Sequence, residues 1–174
     1  DVAAEALDDD CLGLVLAKAF DGRDLGLWYY VLASSETLGE ALQRGARYSR
    51  IGNEALVLDY REAREPALRL SYAGIARHAD RHQIEFCIAA VVSMCRQLTG
   101  RRLVPKHVSL VHLRSRDTSA FTRYLGTEVE FGREADEIVF AAGAAELALV
   151  DADPRLNRLL LKVCDESLKA RRSN

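Results

Sequence analysis

The sequence predicts an α+β fold, in which an antiparallel or mixed sheet of about five short strands packs with about five or six helices. Segments with apolar residues at helical spacing occur along the whole chain, and short alternating segments lie between them. The two kinds do not follow the regular strand–helix–strand order of a parallel sheet. The 174 residues suit a single domain, which we place at 1–174.

Helical spacing predicts three helices in the first third of the chain. The first follows the acidic residues 8–10, whose charges suit the N-terminal end of a helix dipole, and it ends at Asp21-Gly22. Two more helices are joined by Ser34-Ser35, a pair that can cap the second of them. One face of that helix carries small and apolar residues at helical spacing, namely Leu38, Ala41, Leu42, Gly45 and Tyr48.

The middle of the chain predicts a hairpin followed by the central helix. Residues 55–60 and 68–72 alternate apolar and polar side chains on either side of Pro66, which is typical of two antiparallel strands. Apolar residues then recur at helical spacing from residue 80 to residue 99, and Gly100 ends the helix. This is the strongest helical pattern in the chain, so we expect it at the centre of the core.

The last third predicts three strands and two helices. The segment KHVSLVHL alternates after Pro105, and Asp117 can cap a short helix that ends at Gly126. The acidic stretch YLGTEVEFGREADEIVF contributes strands at 128–131 and 137–140, joined as a hairpin, with most of its acids in the turn or, like Glu128 and Glu130, facing solvent. Asp153-Pro154 begins the C-terminal helix, since proline lacks the amide hydrogen that the first turn leaves unused.

Composition favours a folded core and gives no sign of DNA binding by these residues. Hydrophobic residues make up 49% of the chain and charged residues 29%. The formal net charge is −2, from 24 basic and 26 acidic residues, so the basic surplus of a DNA-binding domain is missing. No apolar run approaches the roughly 18 residues of a membrane span. The four cysteines contain no CxxC pair, which fits a reducing cytoplasm.

A few residues could carry chemistry. The segment HADRHQIE brings His78, His82 and Glu85 to the start of the central helix, where they could act as metal ligands or simply be polar residues at a loop-to-helix junction. Trp28-Tyr29 either packs in the core or lines a ligand pocket. His112 is either a hydrogen-bonded core histidine or a polar contact in a cavity. The sequence contains no GxSxG motif, P-loop or GxGxxG motif.

Two long segments together resemble one family. GLWYYVLASSETLGEALQRGARYSRIGNEAL is similar to the GxxGYxxxxSxTLxEALxxxxRY block in the N-terminal effector domain of AraC-type transcription regulators, in the arabinose-binding-like subgroup. The segment from LTGRRLVP through VEFG to DADPRLNRLL is similar to the second half of that domain in order and spacing. The resemblance covers residues 26–160.

The resemblance implies a cytoplasmic regulator whose N-terminal domain binds a small-molecule effector and forms a homodimer. It implies no enzyme, no cofactor and no membrane contact. In the family a domain of about 100 residues with two helix-turn-helix motifs follows. We expect that domain to lie outside this chain, so that DNA is a partner only through it and the C-terminal helix is the connector.

On this hypothesis residue type and inferred facing predict the site. The candidate pocket residues are Trp28, Tyr29, Tyr48, Tyr60, His112 and Phe131, with Arg47 or Arg114 as a clamp for an anionic effector. The candidate dimerisation face is Leu156, Leu159, Leu160 and Val163. Two alternatives stay open: a small metal-dependent enzyme that uses His78, His82 and Glu85, and a dimerisation module without a ligand. The sequence names neither the effector nor the target promoter.

Overall fold

In a computed structural model of the protein, residues 11–74, 81–114 and 118–172 are described, and they form an α+β fold with six α-helices and a five-stranded mixed sheet. The helices are α1 (Leu12–Ala19), α2 (Leu27–Ala33), α3 (Leu38–Gly52), α4 (Arg81–Thr99), α5 (Ser119–Leu125) and α6 (Pro154–Arg172), with a 3₁₀ helix at Gly22–Leu25. The strands are β1 (Leu56–Arg61), β2 (Ala67–Tyr72), β3 (His107–Ser109), β4 (Val129–Glu130) and β5 (Asp136–Val139). The predicted fold class is confirmed.

The sheet has the order β1-β2-β5-β3-β4. Strands β1 and β2 form the predicted antiparallel hairpin, in which Leu58 lies opposite Leu70. Alternation sends the apolar side chains of this hairpin to the covered face, whereas Asp59 and Arg69 lie on the exposed face. Arg69 Nε donates a hydrogen bond to Glu137 Oε1 of β5 at 2.7 Å across that face. The sheet is therefore apolar on one side and polar on the other, as antiparallel sheets commonly are.

The predicted hairpin between 128–131 and 137–140 is wrong. Strand β5 pairs with β2 along one edge and with β3 along the other, so no edge remains for β4. Strand β4 instead pairs in parallel with β3. Asp136 also departs from the expected exposure of this acidic stretch, because it is buried and its Oδ1 accepts a hydrogen bond from the Val111 N–H at 2.8 Å.

The predicted cap of α3 is also wrong. Thr37 is the N-cap, with extended backbone (φ −129°, ψ 163°), and its Oγ1 accepts from the Glu40 N–H at 3.3 Å. The hydroxyls of Ser34 and Ser35 instead donate to carbonyl oxygens of the last turn of α2. A serine between two helices can donate to carbonyl oxygens at the end of the first helix or accept from N–H groups at the start of the second. The sequence alone therefore did not show which helix Ser34 and Ser35 would bond. The capping roles predicted for residues 8–10 and for Asp117 lie outside the described residues.

Helix α4 is central to the core, as predicted. Its buried side chains include Ile84, Ile88 and Val92, which belong to the main apolar cluster. Helix α1 packs on α4 so closely that a Cβ at Gly13 would collide with the His82 carbonyl oxygen. On the other side, the Arg96 guanidinium donates to the carbonyl oxygens of Leu103, Tyr124 and Leu125 and so satisfies the end of α5.

Helix α6 begins where proline predicts it. Asp153 Oδ1 accepts from the N–H groups of Arg155 at 2.9 Å and Leu156 at 3.0 Å, which is the geometry of a helix cap. The inward face of the helix buries Asn157 and Cys164. No helix within the described ranges is both long enough and apolar enough to span a membrane.

Candidate functional site

Trp28 and Tyr29 lie side by side on α2, and both side chains are buried. The Tyr29 hydroxyl accepts a hydrogen bond from Gln97 Nε2 of α4 at 3.2 Å. The Trp28 indole nitrogen is buried and has no hydrogen-bond partner among the described residues. Such a buried, unsatisfied donor costs about 1–3 kcal/mol, so it is rare in folded proteins and calls for an explanation.

An apolar cavity of about 30 Å³ lies next to Trp28. From α2 and α3 it is lined by Trp28, Leu32, Leu38, Ala41, Leu42 and Gly45. From β1, β2 and α4 it is lined by Leu58, Leu68, Val91, Met94, Cys95 and Leu98. The cavity has about the volume that one water molecule occupies in the liquid, and its walls offer almost no polar partners to a water.

Arg47 and Tyr48 lie on α3 and connect it to α6. Arg47 Nη2 donates to Asp165 Oδ1 at 2.8 Å, and the Tyr48 hydroxyl donates to the same oxygen at 2.7 Å. The Arg47 guanidinium also stacks over the Tyr48 ring, 5.1 Å from its centroid. Burial, followed by the hydrogen bond to Asp165, raises the pKa of Tyr48 to about 12. These three residues, which we call the Asp165 junction, fasten the C-terminal helix to α3.

A second contact joins α6 to α2. The side-chain amide of Asn157 donates to the Val31 carbonyl oxygen and to Ser34 Oγ, both at 2.9 Å. Asn157 is buried, so these bonds are shielded from water. Helix α6 is therefore held at two levels, near its start by Asn157 and about two turns later by Asp165.

Tyr60 is separate from the other candidates and lies on the outer strand β1. Its hydroxyl is buried, without a hydrogen-bond partner in the described parts of the chain, and burial raises the pKa of the phenol. The hydroxyl faces Gly39, where an added Cβ would lie 3.3 Å from it. Tyr60 is thus close to the start of α3, outside the lining of the cavity.

His112 and Arg114 meet Glu85 in the interior, and we call these three residues the Glu85 cluster. Arg114 Nη1 donates to Glu85 Oε1 at 2.6 Å, and His112 Nε2 lies 2.8 Å from the same oxygen. The side chains of Glu85, Arg114 and His112 are 0%, 1% and 4% exposed. An arginine held this way is committed to a protein carboxylate, which weakens its candidacy as a clamp for an effector anion.

Burial, together with the charges of Arg81, Arg114 and His82, lowers the pKa of His112 to about 4. The imidazole is therefore neutral near pH 7. Because its Nε2 faces a carboxylate oxygen, we assign the hydrogen to Nε2, where it donates to Glu85. His112 thus behaves as the hydrogen-bonded core histidine, the first of the two interpretations that the sequence left open.

Aromatic rings enclose the Glu85 cluster. The Phe131 ring lies 5.3 Å from the His112 ring and 6.2 Å from Phe121, centroid to centroid. The Arg114 guanidinium lies 4.9 Å from the centre of Phe121. The predicted pocket residues therefore fall into four places: the cavity (Trp28, beside Tyr29), the Asp165 junction, the Tyr60 position and the Glu85 cluster with Phe131.

The metal-site alternative rests partly on His78, which lies outside the described residues. His82 and Glu85 are near one another, with His82 Nδ1 3.6 Å from Glu85 Oε2. His82 Nε2 contacts Arg81 Nη2 at 2.8 Å, a cationic neighbour that a metal ion would have to displace. No group of three or more His, Cys, Asp or Glu within the described ranges has the arrangement of a metal site. An open groove of about 490 Å³ between α1 and α4 also borders His82.

The candidate dimerisation residues divide between the two faces of α6. Leu156, Leu159 and Val163 are exposed by 41%, 61% and 46%. Leu160 is partly buried and packs against the main core. The exposed apolar stripe therefore consists of Leu156, Leu159 and Val163, whose spacing of three and four residues places them on one face.

Sequence reasoning missed Asp165 and Asn157. Both are polar residues on a helix whose apolar residues gave the stronger pattern, and their contacts are 117 and 126 residues away along the chain. It also missed that the apolar face of α3, which it did identify, borders a cavity. Periodicity reports which face is buried and carries no information about gaps in the packing.

Comparison with known proteins places these features in a family. A family model described as the N-terminal arabinose-binding domain of the AraC transcription regulator matches residues 1–149. The fold is similar to that in the crystal structure of the transcriptional regulator CdpR from Pseudomonas aeruginosa, with a TM-score of 0.74 and 18% identity. That match covers 92% of this chain and 55% of the regulator, so the chain spans about half of its length. No curated protein sequence matches the chain significantly.

Proposed function

The chain belongs to the family of N-terminal arabinose-binding domains of AraC transcription regulators, and from this premise we propose that it senses a small-molecule effector and dimerises to control a DNA-binding domain. The match over residues 1–149 carries the proposal. The formal net charge of −2 fits a domain that leaves DNA contact to another part of the regulator. The regulator would act in the cytoplasm, where buried thiols such as those of Cys87 and Cys95 stay reduced.

The contacts of α6 support a way of passing the signal. Helix α6 is held to α2 through Asn157 and to α3 through the Asp165 junction. A ligand that binds one arrangement of α2 and α3 more tightly than another would shift the equilibrium towards that arrangement, and the position of α6 would change with it. The effector would thereby change how the segment after α6 is placed.

The exposed stripe of Leu156, Leu159 and Val163 supports the dimerisation part of the proposal. Three apolar side chains on one exposed helix face are typical of a surface that a second copy covers. In that arrangement the interface lies on the helix that the effector would move, so sensing and assembly share one element.

Thermal-shift measurement with a metabolite library tests the sensing function. A ligand at 100 times its dissociation constant adds about 2.7 kcal/mol to the free energy of unfolding. We expect at least one organic metabolite to raise the Tm by several degrees. Stabilisation by a divalent metal ion only, lost in His82→Ala, would instead favour a metal-dependent enzyme.

A further inference from the structure

A polar cleft of about 200 Å³ lies between the first half of α3 and the first turns of α6. Its residues before and on α3 are Ser34, Glu36, Glu40 and Arg44, and its residues on α6 are Pro154, Asn157, Arg158 and Leu161. A cavity of about 150 Å³ is enough to hold a benzene molecule. The cleft therefore has room for a small metabolite, and none of the pocket residues predicted from the sequence lines it.

Two of the charged residues in the cleft compensate each other. Arg44 Nη1 donates to Glu40 Oε2 at 2.7 Å, and the Glu36 N–H donates to the same oxygen at 3.2 Å. The Glu40 carboxylate is thus occupied by the cap of α3 and by its own ion pair. This pair adds no net charge to the cleft.

Two further charges, those of Glu36 and Arg158, remain uncompensated. Neither side chain forms an ion pair or a hydrogen bond within the described part of the chain, so they do not pair with each other either. Arg158 has no carboxylate within reach on its own helix, because the residues three and four positions away are Pro154, Arg155, Leu161 and Lys162. The cleft consequently offers a ligand one cation on α6 and one anion just before α3.

Asn157 adds a fixed hydrogen-bond acceptor between these charges and the core. It is only 4% exposed, and its Nδ2 donates to the Val31 carbonyl oxygen and to Ser34 Oγ, both at 2.9 Å. Both amide hydrogens are then used. The amide oxygen accepts no hydrogen bond from the described residues and is not among their enclosed, unsatisfied polar atoms, so it stays accessible.

We propose that this cleft is the effector site and that its ligand is a small zwitterion. The ligand's carboxylate pairs with Arg158, a group suited to bidentate binding, and its ammonium group pairs with Glu36, with the Asn157 oxygen as a further acceptor. The inference rests on the proposed sensing function and adds the position of the site and the chemical class of the ligand. Because such a ligand bonds to α6 and to the start of α3, it favours one arrangement of these helices.

Linear amino acids with increasing charge separation test the site. The 174-residue chain would be titrated with each compound from glycine to 6-aminohexanoate, followed by ¹H–¹⁵N spectra. At least one of them is expected to shift the backbone amides of residues 36–44 and 155–161 saturably. The carboxylate and the amine of the same length, each with one charge only, are expected to bind at least about fivefold more weakly, because each lacks one charge-assisted interaction.

Arg158→Gln removes the cation from an exposed position, so the protein should fold normally. We expect it to bind the amino acid at least about fivefold more weakly, roughly the effect of one lost interaction. Arg155→Gln makes the same charge change at an exposed position of α6 outside the cleft and should bind as the unmodified chain does. Glu36→Gln should weaken binding of the amino acid but not of the carboxylate of the same length.

Four results would overturn the inference. They are the absence of a saturable shift with every amino acid, shifts that fall outside the cleft, equal binding by Arg158→Gln and Arg155→Gln, and equal binding of the compounds with one charge. A metabolite that raises the Tm in the library screen equally in Arg158→Gln and the unmodified chain would also overturn it, while the sensing function would stand. If neither the screen nor the titration gives binding, the sensing function fails as well.

Discussion

Single residues explain how α6 is attached and how the interior holds charge. One oxygen of Asp165 accepts from both Arg47 and Tyr48, so a single carboxylate oxygen receives two of the hydrogen bonds between α3 and α6. The Glu85 cluster instead stabilises a buried charge, since a fully buried carboxylate is stable only when hydrogen-bond donors surround it. The first group concerns signalling in our proposal, and the second concerns stability.

Loss of the Tyr48 hydroxyl should weaken folding and change its pH dependence. Tyr48→Phe removes the bond to Asp165 and should lower the free energy of unfolding by roughly 1 kcal/mol at pH 8. The folded-state pKa of Tyr48 is raised to about 12 from 10.0. Its contribution is therefore fully present below pH 10 and is lost as the pH rises towards 12. The stability difference between Tyr48→Phe and the unmodified chain should shrink over this range in urea denaturation. A constant difference from pH 8 to pH 11 would contradict this assignment.

Glu85→Gln should destabilise the protein strongly. The substitution keeps the shape but takes the negative charge away from the buried Arg114 guanidinium, which should cost about 3 kcal/mol. Glu65 is the matched control, because it pairs with Lys106 at the surface. Glu65→Gln should cost less than about 1 kcal/mol. Urea denaturation measures both, and equal losses would show that the Glu85 cluster is not a buried charge pair in solution.

At the scale of elements, the helices and strands that depend on local sequence patterns could be predicted. Helix α4 followed from apolar spacing and Gly100, the first hairpin from alternation around Pro66, and α6 from Asp153-Pro154. The placement of β4 beside β3 could not be predicted, because strand pairing depends on which edges the other strands leave open. The predicted pocket residues fall in four places for the same reason. Residue type and the predicted side of a helix or strand identify buried side chains, but the packing of the elements determines which of them become neighbours.

The cap of α6 gives a test at this scale. Asp153→Ala leaves the N–H groups of Arg155 and Leu156 without their acceptor and should cost about 1 kcal/mol. Asp151→Ala, two residues earlier at an exposed position, should cost less than about 0.5 kcal/mol. Thermal denaturation of both variants distinguishes them. Equal Tm values would mean that Pro154, rather than the Asp153 cap, determines where the helix begins.

At the scale of the whole molecule, α6 has two faces with different tasks. The inward face binds α2 and α3 through Asn157 and Asp165, and the outward face exposes the stripe of Leu156, Leu159 and Val163. A movement of α3 would consequently reach the proposed dimer interface. This arrangement makes α6 the element through which sensing would become regulation.

Leu159→Lys should convert the proposed dimer to a monomer without loss of folding. The side chain is 61% exposed, so lysine is tolerated in the monomer, but two charges would face each other across the proposed interface. Leu113→Lys, at a side chain that is 82% exposed and outside α6, should leave the dimer intact. Sedimentation equilibrium at micromolar concentration measures both. If the unmodified chain is a monomer, or if the dimer survives Leu159→Lys, the stripe is not a dimer interface.

The central claim is that binding of an effector is passed to α6, and hydrogen exchange tests it most directly. Backbone amides of residues 157–168 would be compared with and without the compound that raises the Tm most in the library screen. We predict that their exchange rates change on binding and that Tyr48→Phe reduces this change while the compound still binds. Exchange that changes elsewhere in the domain but not in residues 157–168 would contradict the claim.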